Sequence, residues 1–288
     1  MLGARLDQDR IVEIIREARV VRFKPIGTSS IVYEMLLDGE VHGAFKPRTV
    51  QHPRGHLAEI AAYRLARLLG LDNVPPAVTR RVSAESLHAR LHPDFDDSWP
   101  DIVEGTLWDD DGRVTGAAIY WVPNMRGLGV ERRGRMRRWS RQLSQRGAVP
   151  DDARPLHADL STTVALDYLI GNWDRWSGSN AQGLPDGSRL FVRDHNVAFA
   201  APLNEQVHER VLRSLLRTEK FSRSFVRNLL RMTEPRLRAE LALDPGSARE
   251  PLLVNAQIRA VMERRRTLIS YVASLTDMYG EDRVLVFP

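Results

Sequence analysis

The chain has 288 residues, of which 43% are hydrophobic and 27% charged, and a formal net charge of +5. This balance is typical of a globular protein and excludes an intrinsically disordered one. The absence of cysteine excludes disulfides, thiolate metal sites and cysteine nucleophiles. No apolar run reaches the ~18 residues of a transmembrane helix. We therefore predict no membrane span and expect a cytoplasmic protein.

Arginine supplies 39 of the 42 basic residues, and the lysines are Lys24, Lys46 and Lys220. Such a bias is typical of a GC-rich genome. Where this chain keeps a lysine, we expect the compact ammonium to matter, because a planar guanidinium differs from it in shape. The net charge is modest for this length and gives little support to a nucleic-acid partner.

The first part of the chain predicts a β-rich lobe. Residues 7–20 form an amphipathic pattern with acidic residues, which indicates a helix rather than a signal peptide. Residues 22–47 predict three strands, with a hairpin turn at Asp38-Gly39 and another turn at Gly27–Ser30. An alanine-rich helix over 56–70, strands over 74–82 and 112–123 and an irregular acidic segment over 83–112 follow. We predict an N-terminal lobe over residues 1–122.

After residue 123 the pattern becomes helical. Residues 131–146 hold seven arginines, residues 156–172 predict a buried helix, and residues 205–232 and 247–279 predict further helices. A hairpin is expected near residues 181–193. The fold class is therefore α+β, with a β-rich N-lobe and a helical C-lobe over residues 123–288.

The stretch DYLIGNWDRWSGSN ends the predicted buried helix with Asp174 and Asn180. The hairpin that follows has its turn at residues 185–188 and leads to Asp194. Because a hairpin brings its two ends together, we expect Asn180 and Asp194 side by side, with Asp174 nearby. Carboxylate and carboxamide oxygens suit Mg²⁺.

This arrangement is what phosphoryl transfer needs. One carboxylate, Asp174, can accept the proton of a substrate hydroxyl, while Asn180 and Asp194 hold metal ions against the phosphates. Lys46 ends a predicted strand, and Glu59 lies thirteen residues later in the next helix. A strand lysine paired with a helix glutamate is the kinase device for gripping the α- and β-phosphates.

A turn in the same lobe can present backbone N–H groups and hydroxyls to phosphate. Its residues, which we predict to contact the nucleotide, are Gly27, Thr28, Ser29 and Ser30.

The segments GTSSIVYEMLLDGEVHGAFKP, AEIAAYRLARLLG with VPPAV after it, DYLIGNWDRWSGSN and FVRDHNVAFA resemble the atypical kinase group. That group includes type II phosphatidylinositol 4-kinases, the secretory-pathway Golgi casein kinases and HipA-type bacterial kinases. The resemblance covers about residues 22–200. It implies a two-lobed protein-kinase-like fold and ATP with Mg²⁺ or Mn²⁺ as cofactors. We accordingly expect a cytoplasmic, bacterial kinase.

The resemblance also implies roles for individual residues. Lys46 is the phosphate lysine and Glu59 its partner. Asp174 is the catalytic acid, Asn180 the loop metal ligand and Asp194 the metal-binding aspartate.

Three departures from the group's pattern affect the metal site. Trp176 stands where that loop commonly carries histidine. Asp174 and Asn180 are six residues apart, whereas five is usual, so either Asn180 or Ser179 takes the loop metal position. Asp194 is followed by His-Asn, which adds Asn196 as a candidate ligand.

Ordinary structural roles remain the alternatives for each residue alone. Asp174 can be a loop acid, Asp194 a turn cap, and Lys46 with Glu59 a surface ion pair. Their order and spacing together favour a kinase. Lys24 rivals Lys46, but it precedes the Gly27–Ser30 turn, whereas kinase geometry places the lysine after it.

Two other site types receive little support. The pairs His52/His56 and His88/His92 have i,i+4 spacing but lack the glutamate of a zinc-protease motif. No G-x-S-x-G sequence stands between a strand and a helix, which disfavours a Ser-His-Asp hydrolase.

The predicted activity is phosphorylation of a protein Ser or Thr hydroxyl. A lipid or small-molecule kinase of the same fold, and a nucleotide-binding pseudokinase scaffold, are the alternatives. The arginine run, which spans Arg132–Arg146 and includes Arg133, Arg137 and Arg138, is either a solvated helix or a surface for an acidic partner.

Overall fold

The computed structural model describes residues 5–27, 30–178 and 180–288, with side chains from residue 8 onward. The described chain divides into two compact units. Unit 1 comprises residues 1–64, 75–123 and 241–252, and unit 2 comprises residues 65–74, 124–240 and 253–288. Among the described helices, none combines the length and apolar character that a membrane span requires. The predicted lobe boundary at residues 122–123 stays a prediction.

Unit 1 is built on a five-stranded antiparallel sheet in the order β1-β2-β3-β5-β4. Its strands are β1 (Val20–Pro25), β2 (Tyr33–Leu37), β3 (Val41–Pro47), β4 (Ala77–Ser83) and β5 (Arg113–Tyr120). The β2-β3 hairpin turns at Asp38–Glu40, where Gly39 has a φ of 77° and Glu40 a φ of 60°. A positive φ at both central residues suits a tight hairpin turn.

The core of unit 1 follows the two-residue period of the strands. Phe23, Tyr33 and Phe45 come from three neighbouring strands, and their ring centroids lie 5.8–6.4 Å apart. All three side chains are fully buried. This aromatic cluster fixes the register of β1, β2 and β3, because a one-residue slip would move these rings to the opposite face.

The helices assigned to the first part of the chain are α1 (Arg5–Glu17), α2 (Gly55–Leu68), α3 (Ala84–His88) and α4 (Trp99–Gly105). Ser83 caps α3 through its hydroxyl, which accepts from the Ser86 N–H. The segment over 83–112 was predicted to be irregular, and it contains two short helices. Their lengths, five and seven residues, are too small for helical periodicity to be detected in the sequence.

Residues 241–252 belong to unit 1 although they come late in the chain. Asp244 accepts two hydrogen bonds from Thr79 in β4, one from its N–H at 3.0 Å and one from its hydroxyl at 2.5 Å. Asp244 is buried, so its carboxylate requires these donors. Because β4 lies at an edge of the sheet, this side chain satisfies an N–H group that no strand pairs.

Unit 2 is mainly helical. Its helices are α5 (Arg133–Gln142), α6 (Arg154–Ile170), α7 (Glu205–Leu215), α8 (Arg223–Arg231), most of α9 (Glu234–Ala242), α10 (Asn255–Tyr279) and α11 (Glu281–Val284). The hairpin strands are β6 (Ala181–Gly183) and β7 (Leu190–Val192). The predicted helix over 205–232 is therefore two helices, and Ser222 caps the second by accepting from the Phe225 N–H. Helix α6 is the centre of the unit, with an almost continuous buried run from Asp159 to Ile170.

Candidate active site

The predicted lysine and glutamate form an ion pair in unit 1. Lys46 lies in β3, paired with Ala117 of β5, and Glu59 lies in α2. The Lys46 Nζ is 2.6 Å from the Glu59 Oε1. The Glu59 side chain is only 3% exposed and that of Lys46 is 18% exposed. Since α2 is buried continuously from His56 to Ala66, the glutamate is held by packing rather than by a flexible surface helix.

This burial argues against an ordinary surface pair. Exposed ion pairs contribute little to stability because solvent screens them. A nearly buried carboxylate instead needs its cation, and the pair orients the ammonium that it holds. The rival Lys24 lies in β1, opposite Glu34 in β2.

The turn between β1 and β2 is described only in part. The Ile26 N–H donates to the Val32 carbonyl at 2.9 Å, which closes the turn. A Cβ on Gly27 would collide with the carbonyl oxygen of Ser30, so only glycine fits there. Thr28 and Ser29, which we predicted to contact phosphate, lie outside the described residues. The nucleotide roles of Gly27 and Ser30 stay predictions.

The loop that carries Asp174 starts at the end of α6. Gly171 ends the helix in a left-handed conformation with a φ of 68°, and its N–H donates to backbone carbonyls of the last turn. The Asn172 N–H donates to the Asp167 carbonyl at 2.8 Å, and the Asn172 Oδ1 accepts from the Asp174 N–H at 3.3 Å. These bonds place Asp174 just past the helix end, as the sequence predicted.

The carboxylate of Asp174 is held from its C-terminal side. Its Oδ1 accepts from the Ser177 hydroxyl at 2.6 Å, and the Asp174 carbonyl accepts from the Asn180 Nδ2 at 3.1 Å. Asn180 thus reaches back across the loop to Asp174. Because the Asn180 Nδ2 is the donor, its Oδ1 is the atom that can ligate a metal.

The hairpin brings Asn180 next to the Asp194 segment. Ala181 in β6 pairs with Val192 in β7, and the Arg193 N–H donates to the Asn180 carbonyl at 3.0 Å. Asp194 itself has a φ of 63°. A left-handed backbone is uncommon for a residue with a side chain, and such strain clusters at functional sites. The structure therefore brings Asn180 into contact with Asp174 and with Arg193, the residue before Asp194, and the roles of these residues stay predictions.

These residues fit an Mg²⁺ or Mn²⁺ ion by the chemistry of their donors. Among the described residues there is no cluster of three or more His, Asp or Glu side chains that could hold a metal by itself. Mg²⁺ needs no such cluster, because it is usually bound through one or two carboxylates, with water and substrate phosphates completing its shell. The Asp194 carboxylate with the Asn180 Oδ1 would supply that type of incomplete oxygen site, and this assignment stays a prediction.

Arg175 is the site residue that the sequence interpretation missed. Its side chain is 1% exposed and forms a buried ion pair with Asp167 of α6, with its Nη2 3.0 Å from the Asp167 Oδ1. Its Nη1 donates to the Asn180 carbonyl at 3.0 Å and also to the Arg193 carbonyl. One guanidinium thus joins the end of α6 to both sides of the hairpin base. The available signal in the sequence was an acidic residue within the predicted helix, Asp167, eight residues before Arg175.

Trp176, which replaces the usual histidine, packs on the arginine-rich helix. Its ring centroid is 5.3 Å from that of Trp139 in α5, and Trp139 is buried with its Nε1 donating to the Val130 carbonyl at 3.0 Å. Trp139, which lies within the arginine run, therefore packs against the loop that carries Asp174. The histidine pairs His52/His56 and His88/His92 belong to unit 1 and take no part in this loop.

Comparison with known proteins finds kinases that are similar to this chain in sequence and in fold. No protein-family model matches the chain. The chain is 24% identical to the glycosaminoglycan xylosylkinase of Homo sapiens, over 99% of this chain and 73% of that protein. A Golgi casein kinase solved with Mn and ADP bound has a TM-score of 0.71 at 17% identity, covering 98% of this chain and 79% of that one. The structure of hydra Fam20 with sugar also has a TM-score of 0.71 at 17% identity, over 98% and 93% of the two chains.

These findings confirm the α+β, protein-kinase-like fold and the prediction of a kinase, since the curated relative that covers nearly the whole chain is a kinase. The predicted cofactors agree with the Mn and ADP that the Golgi casein kinase holds. The resemblance to the atypical kinase group is confirmed for its secretory-pathway kinases. The resemblance to type II phosphatidylinositol 4-kinases and HipA-type kinases is only partial.

The expectation of a cytoplasmic, bacterial protein is wrong on these comparisons. The similar proteins are a xylosylkinase of glycosaminoglycans from Homo sapiens and a Golgi casein kinase, which are kinases of the secretory pathway. The error has a simple cause. The absence of cysteine and of an apolar run was interpreted as a cytoplasmic signature, but neither feature determines the compartment of a protein.

Proposed function

We propose that the chain is an ATP-dependent kinase that transfers a phosphoryl group to a sugar hydroxyl within a glycan. The observation that carries the kinase chemistry is the hairpin in unit 2, which sets Asn180 and Asp194 beside the loop of Asp174. The acceptor class comes from the relationship to a glycosaminoglycan xylosylkinase over 99% of the chain.

Lys46 and the Gly27 turn are the proposed contacts to the nucleotide phosphates. The ammonium of Lys46 is oriented by Glu59 at 2.6 Å and would neutralise charge on the α- and β-phosphates. The Gly27 turn would add backbone N–H groups. Holding the triphosphate in one orientation converts the transfer into an effectively unimolecular step.

Asp174, Asp194 and Asn180 are the groups proposed for the transfer itself. The acceptor oxygen attacks the γ-phosphorus as the bond to the bridging β,γ-oxygen breaks, and ADP leaves. The Asp174 carboxylate, oriented by the Ser177 hydroxyl, accepts the proton of the acceptor hydroxyl. Asp194 and Asn180 would hold a divalent cation, which supplies neutralisation of the charge that develops on the phosphate oxygens.

Phosphorylation of a protein Ser or Thr hydroxyl is the second candidate. It is favoured by the fold likeness to the Golgi casein kinase, whose TM-score of 0.71 equals that of hydra Fam20. The chemistry of Asp174 is the same for both acceptors, because each presents an alcohol oxygen. The two candidates therefore differ in what surrounds the acceptor, not in the transfer step.

The experiment offers both acceptors to the same enzyme. The full chain is incubated with γ-labelled ATP and Mn²⁺ or Mg²⁺, together with a xylose-containing oligosaccharide or with dephosphorylated casein. The label reports phosphoryl transfer, and mass spectrometry of the acceptors identifies any added AMP by its mass, because AMP transfer would release the γ-label in pyrophosphate. We expect label on the oligosaccharide, and loss of that label in Asp174→Asn. The Ser177→Ala variant is the milder control, since it removes the orienting hydroxyl and keeps the base.

The outcomes separate the hypotheses. Label on casein alone supports the protein kinase and contradicts the glycan kinase. Transfer of AMP contradicts both. A protein that binds ATP with metal yet labels no acceptor and releases no ADP is a pseudokinase.

A further inference from the structure

Unit 2 contains a cavity of about 670 Å³ that is lined by arginines from separate parts of the chain. Arg141 belongs to α5, Arg146 to the turn after it, Arg217 to the segment after α7 and Arg283 to α11. Ser140, Ser144, Gln145, Leu216, Glu219 and Tyr279 complete the lining. We call it the arginine cavity. None of its residues takes part in the site built around Asp174.

The cavity carries an excess of positive charge. Glu219 is the acidic residue in its lining, and its Oε2 accepts from the Gln145 N–H at 2.5 Å. Within the described part of the chain, Arg141, Arg146 and Arg217 form no ion pair. Their guanidinium groups are exposed. Four cations around a single, already engaged carboxylate attract an anion, and concave walls strengthen this attraction by focusing the field.

Hydrogen bonds hold the segments that line the cavity in a fixed arrangement. The Gln145 Nε2 donates to the Glu219 carbonyl at 2.8 Å and to the Arg283 carbonyl at 3.1 Å. The buried Lys220, which follows Glu219 in the chain, donates from its Nζ to the carbonyls of Gln142 at 3.0 Å and Gly147 at 2.5 Å. These bonds join the end of α5 to the segments that carry Arg217 and Arg283. The cationic side chains therefore project from a fixed frame.

Lys220 adds to the positive character of this frame. It is 8% exposed, and burial together with the neighbouring Arg283 lowers the pKa of its ammonium. The carbonyls of Gln142 and Gly147 accept its hydrogen bonds, so they orient the charge without cancelling it. An anion in the cavity would stabilise the ammonium in turn.

The lining has the chemistry that recognises an acidic sugar chain. Guanidinium forks bind sulfate and carboxylate oxygens in pairs. The Ser140, Ser144 and Tyr279 hydroxyls suit sugar hydroxyls, while the Tyr279 ring and the half-exposed Leu216 suit the apolar faces of sugar rings. A peptide of acidic residues alone, such as poly-L-glutamate, would share the charge but has no ring face to pack on Tyr279 and Leu216. The lining comes from helices and turns, so it offers no strand edge to pair with a peptide backbone.

We propose that the arginine cavity is an accessory binding site for an acidic glycan bearing sulfate or carboxylate groups. The proposal rests on the proposed glycan kinase, and it places a second anchoring point for the acceptor outside the site of phosphoryl transfer. The relevance of an acidic sugar chain is supported by the curated relative, which is a kinase of a glycosaminoglycan.

The test measures binding without catalysis. Isothermal titration of the full chain is carried out with a chondroitin sulfate hexasaccharide, with its desulfated form and with poly-L-glutamate. The variant Arg146→Gln with Arg217→Gln removes two cations, and we expect it to weaken hexasaccharide binding by about tenfold or more, because two charge-assisted contacts are lost. Binding should also weaken as salt is raised from about 50 to about 200 mM.

A matched control shows whether binding depends on the position of the arginines or only on the net charge of the protein. Arg227→Gln with Arg231→Gln removes two exposed arginines of α8 that do not line the cavity. We expect the hexasaccharide affinity of this control to stay within about twofold of wild type. Equal affinities for the two double variants would overturn the proposal. Poly-L-glutamate that binds more tightly than the hexasaccharide, and loses affinity in the same cavity variant, would assign the site to an acidic peptide instead.

The desulfated hexasaccharide decides which anionic group is bound. Retained affinity assigns the site to carboxylates, whereas lost affinity assigns it to sulfates. Both results support an acidic glycan.

Failure of the kinase assay is distinguishable from failure of this proposal. A chain that binds the hexasaccharide through Arg146 and Arg217 but transfers no phosphate contradicts only the proposed catalysis.

Discussion

At the scale of single residues, Asp194 combines a left-handed backbone with a proposed metal role. Asn adopts this conformation more readily than other residues with side chains, so Asp194→Asn removes the charge and tolerates the φ of 63°. We expect this variant to keep its melting temperature while phosphoryl transfer falls by about 10³-fold or more, because neutralisation of the phosphate charge is lost. Calorimetry and the labelled-ATP assay check the two halves of this prediction. Transfer within a few-fold of wild type would remove Asp194 from the mechanism.

His56 predicts a dependence of stability on pH. It is 1% exposed, and burial followed by the nearby Arg48 and Arg54 lowers its pKa to about 4. The folded state therefore keeps the ring neutral, whereas the unfolded chain protonates it below about pH 6.5. The unfolded state binds more protons between these two values, so the free energy of unfolding should fall as pH falls from about 6.5 to about 4. The loss from this residue should reach about 3 kcal/mol at most.

The variant His56→Leu isolates this contribution. Urea unfolding is measured at several pH values in wild type and variant, and the difference in slope is the contribution of the ring. We expect the variant to lose less stability than wild type over this range. His157, whose pKa burial also lowers, remains in both proteins and accounts for part of the residual slope. Parallel curves would show that His56 titrates normally.

The site residues differ in how far sequence can find them. Lys46 and Glu59 stand out because lysine is rare in this chain and their strand and helix were predictable, and Asp174 stands at the visible end of an apolar run. Arg175 did not stand out. Its role depends on carbonyls of Asn180 and Arg193, and no side-chain pattern reveals which backbone groups a fold turns inward.

At the scale of elements, the Arg175–Asp167 pair joins α6 to the β6-β7 hairpin. Replacing Arg175 with Gln leaves the buried Asp167 carboxylate without its cation, and we expect the free energy of unfolding to fall by about 3–5 kcal/mol. Phosphoryl transfer should also fall, because the loop of Asp174 and the hairpin base lose their common anchor. Chemical denaturation measures the first effect.

A second variant separates the charge from the packing. Asp167→Asn combined with Arg175→Gln removes both charges and keeps similar volumes. We expect the double variant to be more stable than Arg175→Gln alone, because no uncompensated charge stays buried. Equal stability of the two variants would show that the ion pair contributes through shape only.

Long or strongly patterned elements were predictable and short ones were not. The sheet strands, α2, α6 and the β6-β7 hairpin follow from apolar period, glycine turns and an alanine-rich face. The division of residues 205–232 at Ser222 was not predicted, because both helices carry arginines and leucines in a similar rhythm. The second helix begins where the Ser222 side chain caps one N–H group. A cap contributes about 1 kcal/mol and involves one position, so an analysis of hydrophobic periodicity does not detect it.

At the scale of the whole molecule, nucleotide binding should stabilise the fold. Ligands that bind only the folded state raise the free energy of unfolding, by about 2.7 kcal/mol at a concentration of 100 times the dissociation constant. We expect ADP with Mn²⁺ to raise the melting temperature of the full chain. Asp194→Asn should show little of the increase that depends on Mn²⁺. A metal-independent increase that is the same in wild type and variant would assign the nucleotide to a different site.

The sequence changes from β-rich to helical character near residue 123, and the division predicted there stays a prediction. Nothing in the sequence indicated that residues 241–252 belong to unit 1. That segment is short, and its decisive contact is a single acid, Asp244, with Thr79. A pairing across 165 positions leaves no local signal, since any of many acids could have filled that place.

The position of residues 241–252 late in the chain has a consequence for biosynthesis. A ribosome releases β4 long before it releases Asp244, so during translation the outer edge of the sheet exposes an N–H group and a row of strand atoms to other nascent chains. Open edges of this kind promote aggregation. The time that the ribosome needs to add the intervening residues is therefore an interval in which this edge of the nascent chain is open to association with other strands.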